Sequence, residues 1–189
     1  MLGPNHHDSL TARRQCAIEL GRAGDHREAA RLFAGLAQEQ AQVIGPDHPD
    51  TLINCQYHAM HLGEAGDRRG AVRLFADLVQ DYARVWGPDQ LMTFSVRHHH
   101  ALQLWSAGEY RETIGLLGDL ARDQERVLGP DHRGTLSARY HHAVNLGRAG
   151  EHQEAARLLA KLAQAYAWVQ GSDDPATGLV CGNHAHFSS

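Results

Sequence analysis

Histidine is the residue with the greatest chemical potential in this sequence: it occurs 15 times among 189 residues and can ligate metals or exchange protons near neutral pH. Four histidines recur at a spacing of 42 residues, each followed by alanine: His58, His100, His142 and His184. If each belongs to a separate packed helix, equivalent side chains lie about 10 Å apart, the helix-packing distance. Zinc holds its nitrogen ligands at about 2.0 to 2.1 Å, so one ion would not easily bridge two of these histidines.

The remaining histidine groups are also poor metal sites. The run from His98 to His100 would point its side chains in different directions on a helix. His58 and His61 could share a helix face but supply only two ligands, so they are the weak metal candidates and no cofactor is expected. We favour the hypothesis that the recurring histidines are buried, neutral and hydrogen-bonded to a neighbouring repeat. It predicts that stability falls below about pH 6.5.

Signatures of catalysis are missing from the sequence. It contains no HExxH, GxSxG or P-loop motif. Its three cysteines, Cys16, Cys55 and Cys181, are far apart and form no CxxC pair, so neither a disulfide framework nor a thiolate zinc site is implied. The sequence therefore predicts a protein that is not an enzyme.

Net charge and hydropathy exclude some classes of binding partner. The formal net charge is −4 without a basic block, which argues against binding to nucleic acid or to an anionic membrane. No apolar run approaches the roughly 20 residues that span a bilayer, and no signal pattern opens the chain, so we expect a soluble, cytoplasmic protein. Lys161 is the one lysine beside seventeen arginines, and with the many alanines and glycines this bias indicates GC-rich, bacterial coding DNA.

Two short marks recur every 42 residues and organise the chain. One is Gly-Pro, at residues 3–4, 45–46, 87–88 and 129–130, with Gly171-Ser172 as a weaker fifth copy. The other is Ala-Gly followed by an acidic residue, at residues 23–25, 65–67, 107–109 and 149–151. A fixed period of this length is typical of stacked supersecondary units. It predicts full repeats at residues 3–44, 45–86, 87–128 and 129–170, and a partial fifth unit at residues 171–189.

Each repeat is predicted to contain two helices. The first begins near a Ser/Thr-Leu pair, with Asp8 and Asp50 as N-caps because a carboxylate can accept the unpaired amides of the opening turn. It ends at Ala-Gly, where glycine can adopt the left-handed conformation. The second is predicted over about residues 27–43, 69–85, 111–127 and 153–169, and it ends at Gly-Pro because proline cannot continue the hydrogen-bond ladder.

The second repeat carries a resemblance to a known family. It reads Gly-Pro-Asp-His-Pro-Asp-Thr-Leu from Gly45 to Leu52 and continues with Ala59, Leu62, Gly66, Ala71, Phe75 and Leu78. This pattern is similar to the 42-residue tetratricopeptide (TPR) repeat of kinesin light chains and of bacterial NB-ARC-type signalling ATPases. The resemblance implies an all-α fold: a right-handed solenoid of stacked antiparallel helix hairpins, with four full repeats and a C-terminal half repeat in one domain, residues 1–189. It also implies protein or peptide binding in a concave groove lined by the first helix of each repeat.

Helical periodicity divides the first helices into two faces. Position 1 of the four first helices is Leu10, Leu52, Phe94 and Leu136, the residue after the recurring Ser or Thr. One face then carries the small Ala17, Ala59, Ala101 and Ala143 and the large Leu20, Leu62, Leu104 and Leu146. We expect this face in the core. The second helices should add Phe33, Phe75, Leu117 and Leu159, together with Leu36, Leu78, Leu120 and Leu162.

The other face is predicted to form the partner-binding groove. Positions 5 and 6 hold Arg14, Gln15, Gln56, Tyr57, His98, His99, Tyr140 and His141. Position 9 holds the apolar Ile18, Met60, Leu102 and Val144, and position 12 of the third repeat holds Trp105. In the kinesin-like arrays an Asn pair at positions 5 and 6 grips the backbone of a bound peptide. This chain replaces that pair in every repeat, so that binding mode is not carried over.

Two functional hypotheses follow. The first is a scaffold or adaptor that binds a protein or peptide segment in the concave groove. The second is a regulatory sensor whose histidine-rich groove takes a small ligand, a short peptide or a metal. Because the sequence begins and ends within the repeat pattern, we also expect a fragment or trimmed relative of a longer array, capable of self-association through its ends.

Overall fold

The computed structural model describes residues 7–171 and 174–188, and this part of the chain forms nine helices and no strand. Their bounds are α1 His7–Arg22, α2 His26–Val43, α3 Pro49–Glu64, α4 Arg68–Trp86, α5 Leu91–Ala107, α6 Tyr110–Leu128, α7 Arg133–Arg148, α8 His152–Gln170 and α9 Pro175–Ser188. The all-α prediction is confirmed. Across these ranges no helix is long and apolar enough to cross a bilayer.

The chain divides into two compact units, Met1–Ala107 and Gly108–Ser189. In unit 1 the helices α1 to α5 pack in chain order, each against the next. In unit 2 the helices α6 to α9 do the same. Each unit therefore consists of successive helices with local contacts, as expected of a repeat architecture. The single domain and its repeat boundaries stay predictions.

Glycines close the helices where the repeat marks place them. Gly66, after α3, has a φ of +106°, a conformation that L side chains rarely adopt. Gly87, after α4, has a φ of +98°, and its N–H still donates to the carbonyl of Ala83 at 3.0 Å. The second helices match their predicted ranges within one residue at each end. Glycine, and not the proline after it, is the residue that turns the chain at these ends.

The predicted N-caps are wrong. Asp50 lies within α3, and the cap is His48, whose Nδ1 accepts the N–H of Asp50 at 3.2 Å. Asp8 lies within α1, which begins at His7. In α3 the earlier start follows from Pro49, which occupies the first helical position, where its lack of an N–H costs nothing.

The threonine of the Thr-Leu pair is buried and joins its helix to the preceding turn. Its hydroxyl donates to the carbonyl oxygen of the glycine six residues earlier at 2.8 to 2.9 Å, in the pairs Thr51–Gly45, Thr93–Gly87, Thr135–Gly129 and Thr177–Gly171. These bonds give the buried threonine hydroxyls an acceptor at the carbonyl group just beyond a helix end. They explain why threonine recurs at this position.

The predicted core is largely confirmed. The alanines Ala17, Ala59, Ala101 and Ala143 and the larger Phe33, Phe75, Leu117 and Leu159 are all fully buried. Leu104 is also buried, but Leu20, Leu62 and Leu146 are only half-buried.

Position 12 of the first helix is a contact point between successive first helices. A Cβ at Gly21 would lie 2.4 Å from the His61 ring, one at Gly63 would lie 2.2 Å from Gln103, and one at Gly147 would lie 2.6 Å from the Phe187 ring. The absence of a side chain at the glycine therefore leaves room for the position-10 side chain of the next first helix. This close approach fixes the spacing of α1, α3 and α5 in unit 1 and of α7 and α9 in unit 2.

Candidate functional site

The predicted groove residues of unit 1 lie on α1, α3 and α5. Gln15 is exposed, and the other predicted groove residues of this unit, Arg14, Ile18, Gln56, Tyr57, Met60, His98, His99, Leu102 and Trp105, are half-buried. The apolar side chains at position 9 do not form an open row on the surface. Ile18 and Met60 pack against the edges of buried clusters around Phe33 and Phe75. The accessible part of this surface is mainly polar and aromatic.

Tyr57 belongs to a stack of rings between α2 and α3. Its ring lies 4.9 Å from that of the buried Phe33, which in turn lies 5.6 Å from the His61 ring. The guanidinium of Arg14 sits 5.9 Å from the centroid of Tyr57, within the range of a cation–π contact. The stack fixes the Tyr57 ring and places the Arg14 charge beside it.

Gln56 is already engaged inside unit 1. Its side-chain oxygen accepts the hydroxyl of Tyr82 at 3.0 Å, and Tyr82 is almost completely buried. Desolvation raises the pKa of Tyr82 to about 12, so this hydroxyl stays protonated and acts as the donor. The side-chain oxygen of Gln56 is thus used within the protein, which leaves mainly its NH₂ group to bond a partner.

On α5, His99 is held in place by two contacts. One ring nitrogen lies 2.8 Å from the carbonyl oxygen of Ser95, and the ring stacks on Phe75 at 5.9 Å. His98 precedes it, and Trp105 lies two turns further along the same helix. This helix contributes fixed rings to the surface, which lowers the entropy that a partner must remove on binding.

In unit 2 the predicted groove residues lie on α7, and one of them is misplaced. Val144 is 7% exposed and belongs to the core with Val180 and Phe187 of α9. The prediction that Val144 lines an open groove floor is wrong because α9 packs over it. Tyr140 accepts a hydrogen bond from the side-chain nitrogen of Asn183 at 3.0 Å, and desolvation raises its pKa.

His141 is half-buried beside Tyr140, with the two rings 5.3 Å apart. Desolvation and the charge of Arg148 lower the pKa of His141, which favours the neutral imidazole. This part of α7 therefore offers a neutral donor and acceptor and no cation at the predicted position.

The recurring histidines are half-buried and not fully buried as predicted. Burial lowers the pKa of both His58 and His142, in agreement with a neutral imidazole. The predicted hydrogen bonds are wrong for this pair, since neither ring bonds to any part of the chain that the structure describes.

A histidine pair that sequence spacing did not reveal joins α2 and α3. Nδ1 of His26 lies 3.2 Å from Nδ1 of His61, and the two rings stack at 5.4 Å. One nitrogen donates and the other accepts, so the contact requires at least one neutral ring. The residues are 35 apart in the chain, and no helical or repeat spacing links them. Within the described ranges, no three His, Cys, Asp or Glu side chains gather into a metal site.

The arrangement matches solved repeat structures over nearly its whole length. A Podosopora anserina protein named after the kinesin light chain, with nearly identical TPR-like repeats, has a TM-score of 0.83 and 22% identity and aligns over 97% of this chain and 87% of its own. The fold is that of TPR-like repeat proteins. BtubC (BKLC) from P. vanneervenii gives a TM-score of 0.77 at 14% identity, over 96% of this chain and 73% of its own. No family model and no curated protein matches the sequence.

The TPR-like fold predicted from the sequence is therefore confirmed. The candidate surface consists of the predicted residues of α1, α3 and α5 in unit 1 and of α7 in unit 2, without Val144.

Proposed function

We propose that this protein is a scaffold that binds an extended protein segment on the faces of its first helices. The observation that supports this most is the half-exposed row of polar and aromatic side chains on α1, α3 and α5. Its rings are held by the stack of Tyr57 on Phe33 and of His99 on Phe75. Fixed aromatic and Arg side chains are the residue types that dominate protein interfaces.

The partner's chemistry follows from what these side chains offer. Arg14 and Tyr57 form a cation–π pair, and Arg14 also lies 3.7 Å from Asp50. A segment carrying aromatic or carboxylate side chains would stack on Tyr57 or exchange with Asp50 for Arg14. Without the Asn pairs of the kinesin-like arrays, recognition rests on the partner's side chains more than on its backbone.

We also propose that the protein works in the cytoplasm. Cys16, Cys55 and Cys181 are all free thiols. Unpaired cysteines are typical of proteins kept in a reducing compartment.

Site-specific crosslinking tests the scaffold proposal. A photoreactive benzoylphenylalanine replaces either the exposed Gln15 on α1 or, as the matched control, the exposed Arg73 on α4 of the same unit. We expect the position-15 probe to crosslink one defined segment of a partner in native lysate, and the position-73 probe to give none.

The affinity of a synthetic peptide of the crosslinked segment is then measured with the purified protein. The peptide should bind one-to-one, and Arg14→Ala should weaken binding about tenfold, the loss typical of an interface hot spot. Arg73→Ala should leave the affinity unchanged. Crosslinks that occur only at position 73, or a peptide that binds Arg14→Ala and the parent protein equally, would contradict the proposal.

A further inference from the structure

A cleft opens in unit 2 between α6 and α8, with α7 as its floor. It consists of two adjoining cavities of about 280 and 380 Å³ that share Arg139, His142 and Leu158. Most of the lining is apolar, with Ile114 on α6 and Leu162 on α8 as the largest further side chains. The larger of the two, about 380 Å³, lies within the range of small-molecule sites, about 300 to 1,000 Å³.

Two glycines of α6 create the space. In the corresponding position of the other second helices, Gly115 is replaced by arginine, namely Arg31, Arg73 and Arg157. Likewise, Gly118 corresponds to Ala34, Ala76 and Ala160. A Cβ on Gly115 would meet no atom within 4 Å, and one on Gly118 would lie 3.4 Å from Nε2 of His142. The missing side chains leave the wall of α6 open above the His142 ring.

Two polar groups of the cleft are not held by a direct polar contact. Within the described residues His142 makes no hydrogen bond and Lys161 makes no ion pair, and the Glu154 carboxylate acts on both only through its charge. The other cations on the rim are neutralised, since Arg139 pairs with Glu125 at 2.6 Å and Arg157 pairs with Glu154 at 2.5 Å. The cleft therefore offers one cation at its mouth and one imidazole at its floor.

The charge at the mouth is particular to this repeat. The position of Lys161 is occupied by Asp77 in α4 and by Asp119 in α6. In unit 1 the residues at the repeat positions of His142, Lys161 and Ala165 are His58, Asp77 and Asp81. The same repeat positions thus carry two carboxylates in unit 1 and an ammonium group in unit 2.

We propose that the cleft of unit 2 binds a small carboxylic acid with an apolar body. Its carboxylate accepts hydrogen bonds from the ammonium group of Lys161 and from Nε2–H of His142, and its body lies on Ile114, Leu158 and Leu162. A charge-assisted bond to an ammonium group is among the stronger hydrogen bonds in proteins. Covering the apolar walls adds the hydrophobic contribution that retains the body of the ligand.

The charged neighbours of His142 fit this assignment. Burial lowers its pKa, Glu154 raises it and Arg122 lowers it, with burial the largest cause, so the neutral ring is favoured and can donate one N–H. A bound carboxylate favours the imidazolium form, so the ligand should bind more tightly as the pH falls from 8 towards 6.

Titration with octanoate tests the assignment, with octylamine as the probe of opposite charge. NMR signals of the histidine rings report the site, and calorimetry reports the affinity. Two variants alter the cleft: Lys161→Asp installs the residue type of the second and third repeats, and Gly118→Leu fills the space beside His142. His58→Ala is the matched control, since it removes the equivalent ring in unit 1. Thermal unfolding checks that each variant is folded.

We expect octanoate to saturate one site and to shift the His142 signal. Lys161→Asp should weaken binding about tenfold, the effect of losing one hydrogen bond to a charged group. Gly118→Leu should abolish binding, and His58→Ala should leave it unchanged. The proposal is overturned if octanoate does not bind, if octylamine binds as tightly, if the His142 signal stays unmoved at saturation, or if folded Lys161→Asp and Gly118→Leu bind like the parent protein.

Discussion

At the scale of single residues, the Phe187 ring packs where it does only because Gly147 of the preceding repeat has no side chain. The Phe187 ring occupies the space where a Cβ on residue 147 would stand, at 2.6 Å. Gly147 is itself buried, so the ring cannot move outward without opening the core. Glycine at this position is a packing requirement and not a turn signal.

Gly147→Ala should therefore destabilise the protein. The added methyl group displaces the Phe187 ring or the backbone of α7, and overpacking of this kind costs about 1 to 3 kcal/mol. Chemical denaturation measures the free energy of unfolding. Gly182→Ala is the control, because a Cβ there meets no atom within 4 Å, and it should raise stability by up to about 1 kcal/mol through helix propensity. Equal effects of the two substitutions would show that the ring does not fill this space.

At the scale of helices, α9 completes unit 2. It is the first helix of the partial fifth unit, and it buries Val180 and Phe187 beside Val144 of α7 and Leu162 of α8. Gly178 and Gly182 lower its intrinsic helix propensity, so its contacts with α7 and α8 are what hold it in place. Covering the apolar edge of the last full repeat is the role of a capping element in repeat proteins.

Deleting residues 177–189 should lower the midpoint of thermal unfolding by several degrees. The deletion exposes Val144 and the neighbouring apolar side chains of α7 and α8 to water. Each Å² of apolar surface that becomes exposed costs about 25 cal/mol of stability. Leu179→Ala is the control, since Leu179 is 55% exposed and its truncation should change little. A deletion that leaves the midpoint unchanged would exclude the capping role.

The helices were more predictable from the sequence than the candidate surface. Where a helix ends depends on the residues next to that end. Each Ala-Gly or Gly-Pro dipeptide therefore predicts a helix end from a few neighbouring residues. Side-chain availability depends on neighbours: Val144 is covered by α9, and Gln56 is engaged by Tyr82, which is 26 residues away in the chain. The contact of His26 with His61 joins residues at different positions of their repeats, so no periodic signal marks it.

At the scale of the whole molecule, histidines in both units resist protonation. The pKa is lowered for His58 and His61 in unit 1 and for His141 and His142 in unit 2, mainly through desolvation. His26 lowers the pKa of His61 further and Glu64 raises it. In the unfolded chain these groups take up protons near the ordinary pKa of about 6.5. The folded chain binds fewer protons below that pH, so protons favour unfolding.

Stability should therefore be full above about pH 7.5 and fall as the pH drops through 6.5 towards 5.5. His61→Gln should reduce this fall, because glutamine does not titrate and Gln103 already occupies the corresponding position of α5 beside Gly63. Denaturation at several pH values measures the slope. Arg31→Gln is the control, since it removes an exposed positive charge whose pKa Glu28 raises further, so the guanidinium stays protonated over this range and the slope should not change. An equal reduction of the slope by His61→Gln and Arg31→Gln would mean that overall charge, and not burial between helices, governs the response to acid, because only a group that binds protons more readily in the unfolded chain contributes to the slope.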